Sequence, residues 1–561
     1  MLQATPHQVR NPMPGVVYAP AHELREYIDA GLLTQETMAD ALRASCKQHA
    51  HRRALVSAHV EYTYAQLDEV TDRLGAAYLA LGLKPLDRVI FQIANCPELI
   101  ICFYACLKAG LIPICTLSAH REQEIGYLGN HAKARMHFVQ GDDPKFDDVD
   151  FAQSMRDRIP SVGWIVQARG QARGQAVSMQ GLIDGMPWVQ AREVLAEVPH
   201  DPFQVAVFQL SGGTTGVPKI IPRFHNEYVY NMRAVAQFVG YSPDDRLFVP
   251  MPMMHNLNMG ACFGPMLFTG GMVAVAADLT PAAMVHVFKV FKPTWTVMGG
   301  PIVEKLRPAI ASGALPVADL RGVISANNAP SLRELLGCTV HHVFGMTEGV
   351  MMFTLAADPL LAQDTMHGRP ISPKDRVKLF QVGTEIEITE PGVEGECAFL
   401  GPYTIHGYYD AAERNQETFT SDGYYRSGDL MAFHDLGGQR YYQFRGRTKD
   451  VVDRAGEKVN CEEVENLLNR HPKVFTSAVV GMPDPVYGER ICAFMTLTDA
   501  AQVPSVKDVG DFLKAQGLAK FKWPERIEVV AELPLTKAGK LNKPALKVRI
   551  KEILDAEKTT P

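Results

Sequence analysis

One stretch constrains this chain more than any other: Leu210-Ser211-Gly212-Gly213-Thr214-Thr215-Gly216-Val217-Pro218-Lys219. An apolar run from Phe203 to Leu210 reads as a strand before it, and helical spacing begins near Asn226 after it. A strand that leaves through a glycine loop into a helix belongs to an α/β layer architecture. The glycines let the backbone turn tightly and aim N–H groups at an anion, while the hydroxyls and Lys219 add donors. A triphosphate needs such a set. The spacing is not that of a Walker A loop, because Pro218 precedes the lysine and no Gly-Lys-Ser/Thr follows. A plain surface loop has a similar composition, so the decision rests on the company this loop keeps.

At 561 residues the chain exceeds what one core sustains, and at least two domains are expected. Its 47% apolar and 21% charged residues are ordinary for a globular protein. A net charge of −6 without a basic tract gives no reason to expect nucleic acid. Met1 to Gly15 lacks a charged segment followed by an apolar one, so no secretory leader is expected. The most apolar stretch, Leu99 to Leu117, is interrupted by Lys108, Gly110 and Pro113 and reads as a buried helix turning into a strand, not a membrane span. Ten cysteines without a Cys-x-x-Cys pair suggest reduced thiols and a cytoplasmic setting, with Cys102 and Cys106 as core packing.

Residues 1–35 read as a loosely packed lead-in. Helix and strand signals then alternate: a helix over Ala41 to His49, strands at 53–56 and 61–64, a helix from Tyr64 to Leu83, a strand at 88–92 and a helix over Leu99 to Lys108. The Gln/Ala/Arg/Gly repeat at 167–176 reads as a solvated loop. Beyond the glycine loop, Pro250 and Pro252 force an extended backbone that presents His255 and Asn256. Strand-like 295–298 ends at Gly299-Gly300-Pro301 and 323–325 in the polar turn Asn327-Asn328, and His341-His342-Val343-Phe344-Gly345-Met346-Thr347-Glu348-Gly349 places a carboxylate at a strand end, where it can reach a metal or sit in solvent. Asp422-Gly423 marks a hairpin turn that leads to Asp429, a candidate acceptor for a ribose diol. The domain boundary falls within Phe444 to Asp450. Beyond it come a helix over Cys461 to Arg470, a strand at 477–480, a helix near Val506 to Gly517, and the closing run Leu533-Pro534-Leu535-Thr536-Lys537-Ala538-Gly539-Lys540.

Together these segments resemble the adenylate-forming superfamily of acyl-CoA synthetases, peptide-synthetase adenylation domains and luciferases, from about Thr37 to Lys543. Within it the chain is most similar to stand-alone aryl-acid adenylating enzymes, the 2,3-dihydroxybenzoate–AMP and salicylate–AMP ligases. The likeness is carried by Gln209 to Gly216, His255-Asn256, Gly401-Pro402-Tyr403-Thr404-Ile405-His406-Gly407-Tyr408-Tyr409 and Arg454-Ala455-Gly456-Glu457-Lys458-Val459. It implies an α/β fold with a large N-terminal domain of mixed α/β subdomains (1–447), binding ATP and the acid. A smaller, mobile α+β lid (448–561) would carry the catalytic lysine.

The resemblance also implies roles. Ser211, Gly212, Gly213, Thr214, Thr215, Gly216 and Lys219 would wrap the phosphates of ATP, and Glu348 would bind Mg²⁺. Asp429 and Arg447 would hold the ribose, and Lys540 would bridge the carboxylate and the α-phosphate. His255 would gate the acyl site, Lys449 would be the hinge, and Gly456 would line the pantetheine path. The acid would lie among Asn256, Leu257, Gly260, Val343, Thr347 and Met351, with Asn256 holding an ortho-hydroxyl. The implied activity is adenylation of an ortho-substituted aryl acid with release of pyrophosphate. Transfer to the phosphopantetheine thiol of a separate carrier protein would follow, in siderophore or other nonribosomal peptide synthesis.

Several positions depart from the family pattern. After Asn256 an aromatic residue and a nearby Ser or Cys are usual; here the run is Leu257-Asn258-Met259-Gly260-Ala261 and reads one residue shorter. Ser325-Ala326-Asn327-Asn328 replaces a glycine pair, Thr347 stands for Ala, and Met351 for a smaller Val. Pocket volume is thus opened near Gly260 and filled near Met351, which leaves salicylate-like, amino-substituted and heteroaromatic acids open. Coenzyme A is the alternative acceptor. A silent nucleotide-binding relative is the minor alternative, disfavoured because Lys219, Glu348, Asp429, Arg447 and Lys540 are all present.

Overall fold

The computed structural model describes residues 8–211, 218–326, 329–448, 450–454, 457–484, 487–516, 518, 520–536 and 539–559. The chain forms two compact units. The first comprises 1–211, 217–376 and 399–425; the second comprises 212–216, 377–398 and 426–561.

Two sheets build the first unit. A seven-stranded sheet runs in the order Val177–Ser178, Trp164–Ala168, Met136–Gln140, Arg88–Gln92, Ile112–Ile114, Val205–Leu210 and Ile220–Phe224. It is parallel up to its last pair, where Ile220–Phe224 returns antiparallel to Val205–Leu210 after the glycine loop. A nine-stranded sheet has a parallel centre that includes Arg246–Phe248, Trp295–Val297, Gly322–Ser325 and Thr339–Gly345, with antiparallel strands at both ends. Strands buried on both faces read as unbroken apolar runs, which is how Arg88–Gln92 and Val323–Ser325 showed themselves in the sequence.

The helix Tyr64–Ala80 starts where Thr63 and Gln66 cap each other reciprocally, and it buries Leu67, Leu74, Ala77 and Tyr78. It packs against Pro97–Lys108, whose twelve residues include eleven buried ones. Lys108 does not break this stretch as a solvated charge. Its ammonium is buried and meets Asp68 at 2.6 Å and Asp72 at 2.8 Å. The apolar segment then turns into the strand Ile112–Ile114, and no helix among the described residues is long and apolar enough to cross a membrane.

The lead-in is better packed than its sequence suggests. Ala21–Asp29 is helical, and Met13, Tyr27 and Leu33 are buried. Leu24, Tyr27 and Ile28 fall at i, i+3 and i+4 on this short helix. The repeat at 167–176 begins in the last two residues of the strand Trp164–Ala168 and is exposed over 170–175, although Gln167 turns inward and bonds the loop's own carbonyls at Arg169 and Gln171.

The second unit holds most of a four-stranded sheet, Arg376–Phe380, Gly395–Leu400, Tyr425–Leu436 and Gln439–Arg447 in that order. Gly437 and Gly438, with φ of +58° and +77°, form the tight turn between its last two strands. A five-stranded sheet follows, with Glu457–Asn460, Val451–Arg454, Gly488–Leu497 and Val474–Asp484 in order and Arg526–Val529 beside Gly488–Leu497. The helices Cys461–Leu468 and Val506–Ala515 share a core with it through Val464, Leu468, Val509 and Leu513, while Lys543–Thr559 places Leu546 and Ile550 in a second apolar cluster. All ten cysteines are free, and nine of them are buried.

Candidate active site

In the first unit, the strand Val205–Leu210 delivers Ser211, and the chain re-emerges at Pro218 and Lys219. The loop is closed at its base by two bonds: Ser211 N donates to the Lys219 carbonyl at 3.0 Å, and Lys219 N donates to Ser211 Oγ at 3.1 Å. Gly212, Gly213, Thr214, Thr215 and Gly216 lie outside the described residues.

Lys219 Nζ donates to the Tyr408 hydroxyl at 3.1 Å and sits 4.3 Å from the centre of that ring. The same hydroxyl donates to Glu348 Oε1 at 2.9 Å and lies 2.9 Å from the Tyr425 hydroxyl. One phenol thus joins the loop lysine to the candidate metal carboxylate. Burial pushes the Tyr408 hydroxyl pKa up, with the Glu348 charge adding to the shift, so it stays a donor. Glu348 is buried, and its carbonyl accepts from Ile405 N at 2.9 Å. A side chain on Gly349 would meet the Phe399 ring at 2.6 Å, so the chain can pass here only as glycine. No group of three or more His, Cys, Asp or Glu among the described residues could hold a metal ion. A single carboxylate suits Mg²⁺, which keeps waters and takes its other ligands from substrate phosphates.

The residues of the expected acid pocket also meet within this unit. His255 caps the short helix Asn256–Asn258, its Nδ1 accepting from Leu257 N at 3.3 Å, and a π-helical turn, Met259–Phe263, follows. Asn256 is buried, Leu257 half-buried, and Asn231 Nδ2 donates to the Gly260 carbonyl at 3.4 Å and lies 3.7 Å from Met351 Sδ. A methyl group on Gly260 would find Asn231 Oδ1 at 3.5 Å and Asn256 Oδ1 at 3.7 Å, ordinary contacts that leave space where the sequence suggested an opening. Met351, paired in register with Gly345 and tied through its N–H to the Tyr403 hydroxyl at 3.2 Å, is fully buried, as is Val343. His341 and His342 face elsewhere: His341 Nδ1 lies 2.8 Å from the Thr354 carbonyl, and His342 bridges the Met366 and Ala326 carbonyls. Burial pushes both imidazole pKa values down.

Arg223 organises this cluster, and sequence reading gave it no role. Its side chain is completely buried. Nε bonds Glu227 at 2.7 Å, Nη1 donates to the Thr347 carbonyl at 2.9 Å and to Asn256 Oδ1 at 3.4 Å, and Nη2 reaches the Tyr403 carbonyl at 3.3 Å. Burial opposes its charge, yet Glu227 and the neighbouring tyrosines outweigh that and raise its pKa. The available signal was an arginine inside the apolar strand Ile220–Phe224 with an acid four residues on. Tyr408 was visible within a family-like motif but carried no assigned function.

In the second unit, antiparallel register sets Asp429 opposite Arg447, and Arg447 Nε lies 3.1 Å from Asp429 Oδ1. Asp429 is buried and Arg447 exposed. Lys540 is exposed on a turn: Thr536 N donates to the Lys540 carbonyl at 2.6 Å, Lys540 N donates to Thr536 Oγ1 at 3.1 Å, and Leu535 bridges Leu541. Gly539 has φ +76°, a conformation glycine adopts without strain. Lys449 and Gly456 lie outside the described residues.

The chain belongs to the AMP-binding enzyme family, matching it over residues 42–409, with the family's C-terminal domain over 463–540. It is an ATP-dependent, AMP-forming ligase. It is 35% identical to a Streptomyces salicylyl-CoA synthase / salicylate adenylyltransferase over 95% of this chain and 97% of the relative. It is 34% identical to the 2,3-dihydroxybenzoate-AMP ligase of Bacillus subtilis over 95% and 97%. Among solved structures it is similar to apo MbtA of Mycobacterium smegmatis, with a TM-score of 0.71 and 29% identity, covering 95% of this chain and 99% of that one.

Proposed function

We propose that the protein adenylates an ortho-substituted aryl carboxylic acid of the salicylate or 2,3-dihydroxybenzoate kind. It then passes the acyl group to the phosphopantetheine thiol of a separate carrier protein in siderophore or other nonribosomal peptide synthesis. The single observation that carries this reading is continuity. Arg223 ties Asn256 to the Thr347 carbonyl, and the next residue, Glu348, is tied through Tyr408 to Lys219. An acid held at one end and phosphates held at the other would meet at residues 347–348.

In the first step a carboxylate oxygen attacks the α-phosphorus in line and pyrophosphate leaves. The loop from Ser211 to Lys219 holds the phosphates, Asp429 and Arg447 the ribose, and Glu348 would hold Mg²⁺, which neutralises phosphate charge when bound. Lys540 draws the carboxylate and α-phosphate together and stabilises charge on the equatorial oxygens. In the second step residues 448–561 turn about Lys449, the thiol arrives past Gly456 and His255, and it displaces AMP from the acyl adenylate. Free thiols throughout suit a cytoplasmic enzyme. Coenzyme A is the second reading for the acceptor, favoured by a relative whose name joins both activities.

ATP–pyrophosphate exchange tests the reading across salicylate, 2,3-dihydroxybenzoate, anthranilate, benzoate and medium-chain fatty acids. Exchange confined to ortho-substituted aryl acids supports it, and exchange with fatty acids alone overturns it.

A further inference from the structure

The amide of Asn256 is held by more than its place in the pocket. Its Oδ1 accepts from the Tyr228 hydroxyl and lies 3.4 Å from Arg223 Nη1. Arg223 has no acceptor atom, so the Asn256 atom facing it must be the carbonyl oxygen. Tyr228 is fixed in the same sense: its oxygen accepts from Gln209 Nε2 at 3.3 Å, which leaves its proton for Asn256. Gln209, Arg223, Tyr228 and Asn256 are all buried, and Glu227 neutralises the guanidinium from the helix that also carries Tyr228. With its oxygen engaged twice by the protein, the amide has only its NH₂ to offer.

Building on the adenylation reading, we propose that Arg223 and Tyr228 are positioning residues that lock Asn256 as a hydrogen-bond donor. The site therefore selects aryl acids whose ortho group accepts a hydrogen bond. A hydroxyl oxygen or a ring nitrogen meets that demand. An aniline nitrogen, whose lone pair is delocalised into the ring, does not, so salicylate is separated from anthranilate although the two are close in size. A site built around a fixed polar group rejects the analogue that cannot pair with it more strongly than a greasy pocket rejects a misfit.

Pyrophosphate exchange with salicylate, anthranilate and benzoate tests this in the wild type and in Tyr228→Phe and Arg223→Lys. Removing the tyrosine hydroxyl leaves Arg223 paired with Glu227, and lysine keeps the buried charge while losing the guanidinium fork. The wild type should use salicylate at least tenfold better than anthranilate, by kcat/KM. Each variant should lower the salicylate-to-benzoate ratio of kcat/KM about tenfold. A merely structural role would lower both acids together, and that result, or anthranilate matching salicylate in the wild type, overturns the proposal. Failure of every aryl acid in the wild type would instead remove the adenylation reading, and this inference with it.

Discussion

The Asn256–Glu348 region of the first unit and the Lys540 turn of the second are built on opposite principles. The former is a buried mesh in which Arg223, Tyr228, Tyr403 and Tyr408 each hold two or more partners. The latter is a solvent-exposed lysine on a short turn closed by backbone and Thr536 bonds. Groups that must discriminate between similar acids gain from being fixed, because a loose donor pairs with anything. On the proposed function, a lysine that acts on two anions and then gives way to a thiol gains from being presented at a surface.

The largest expected effect separates the two regions. Lys540→Ala should cut pyrophosphate exchange by roughly 10²–10³-fold while leaving the unfolding midpoint unchanged, since an exposed side chain contributes little to stability. Normal exchange in this variant would remove Lys540 from the chemistry. Glu348→Gln comes next. The Mg²⁺ concentration for half-maximal exchange should rise at least about tenfold, as expected when a carboxylate ligand is lost, and chelation of divalent ions should abolish exchange in the wild type. An unchanged Mg²⁺ titration would relocate the metal. Tyr408→Phe cuts the link between Lys219 and Glu348 and should raise the KM for MgATP a few-fold, about the worth of one hydrogen bond, with the KM for the acid unmoved. Equal shifts in both constants would mean that Tyr408 serves the fold and not the phosphate end.

The smallest effect is on stability. Burial raises the Asp375 carboxyl to about 7 despite hydrogen bonds from the Tyr403 hydroxyl and Ser372 N. The folded protein therefore keeps a proton that the unfolded chain releases near pH 4. This group's contribution is complete below about pH 4 and is lost as pH rises through about 7. Asp375→Asn should flatten the decline in unfolding midpoint between pH 5 and 8. A decline as steep as in the wild type would place its origin elsewhere.

Much of this was legible in the residues themselves. The strands Arg53–Val56 and Arg88–Gln92, the helix beginning at Tyr64 and the start of the helix at Cys461 follow from apolar period and capping chemistry, which are local. The packed lead-in around Tyr27 and the ion pair at Lys108 were not, because each depends on residues distant in sequence. The same holds in the site. Asn256 and Glu348 stand in short motifs, whereas Arg223 gains its meaning only from Thr347 and Tyr403, 124 and 180 residues away. Tyr408 likewise becomes informative only beside Lys219, 189 residues distant.

The separation of selection from chemistry is tested most directly by equilibrium binding of salicylate and benzoate to Lys540→Ala in the presence of ATP and Mg²⁺. The account predicts the wild-type preference for salicylate, undiminished, in a protein that no longer exchanges pyrophosphate. Loss of that preference together with the lysine would show that acid selection does not reside in the buried Arg223–Asn256 mesh.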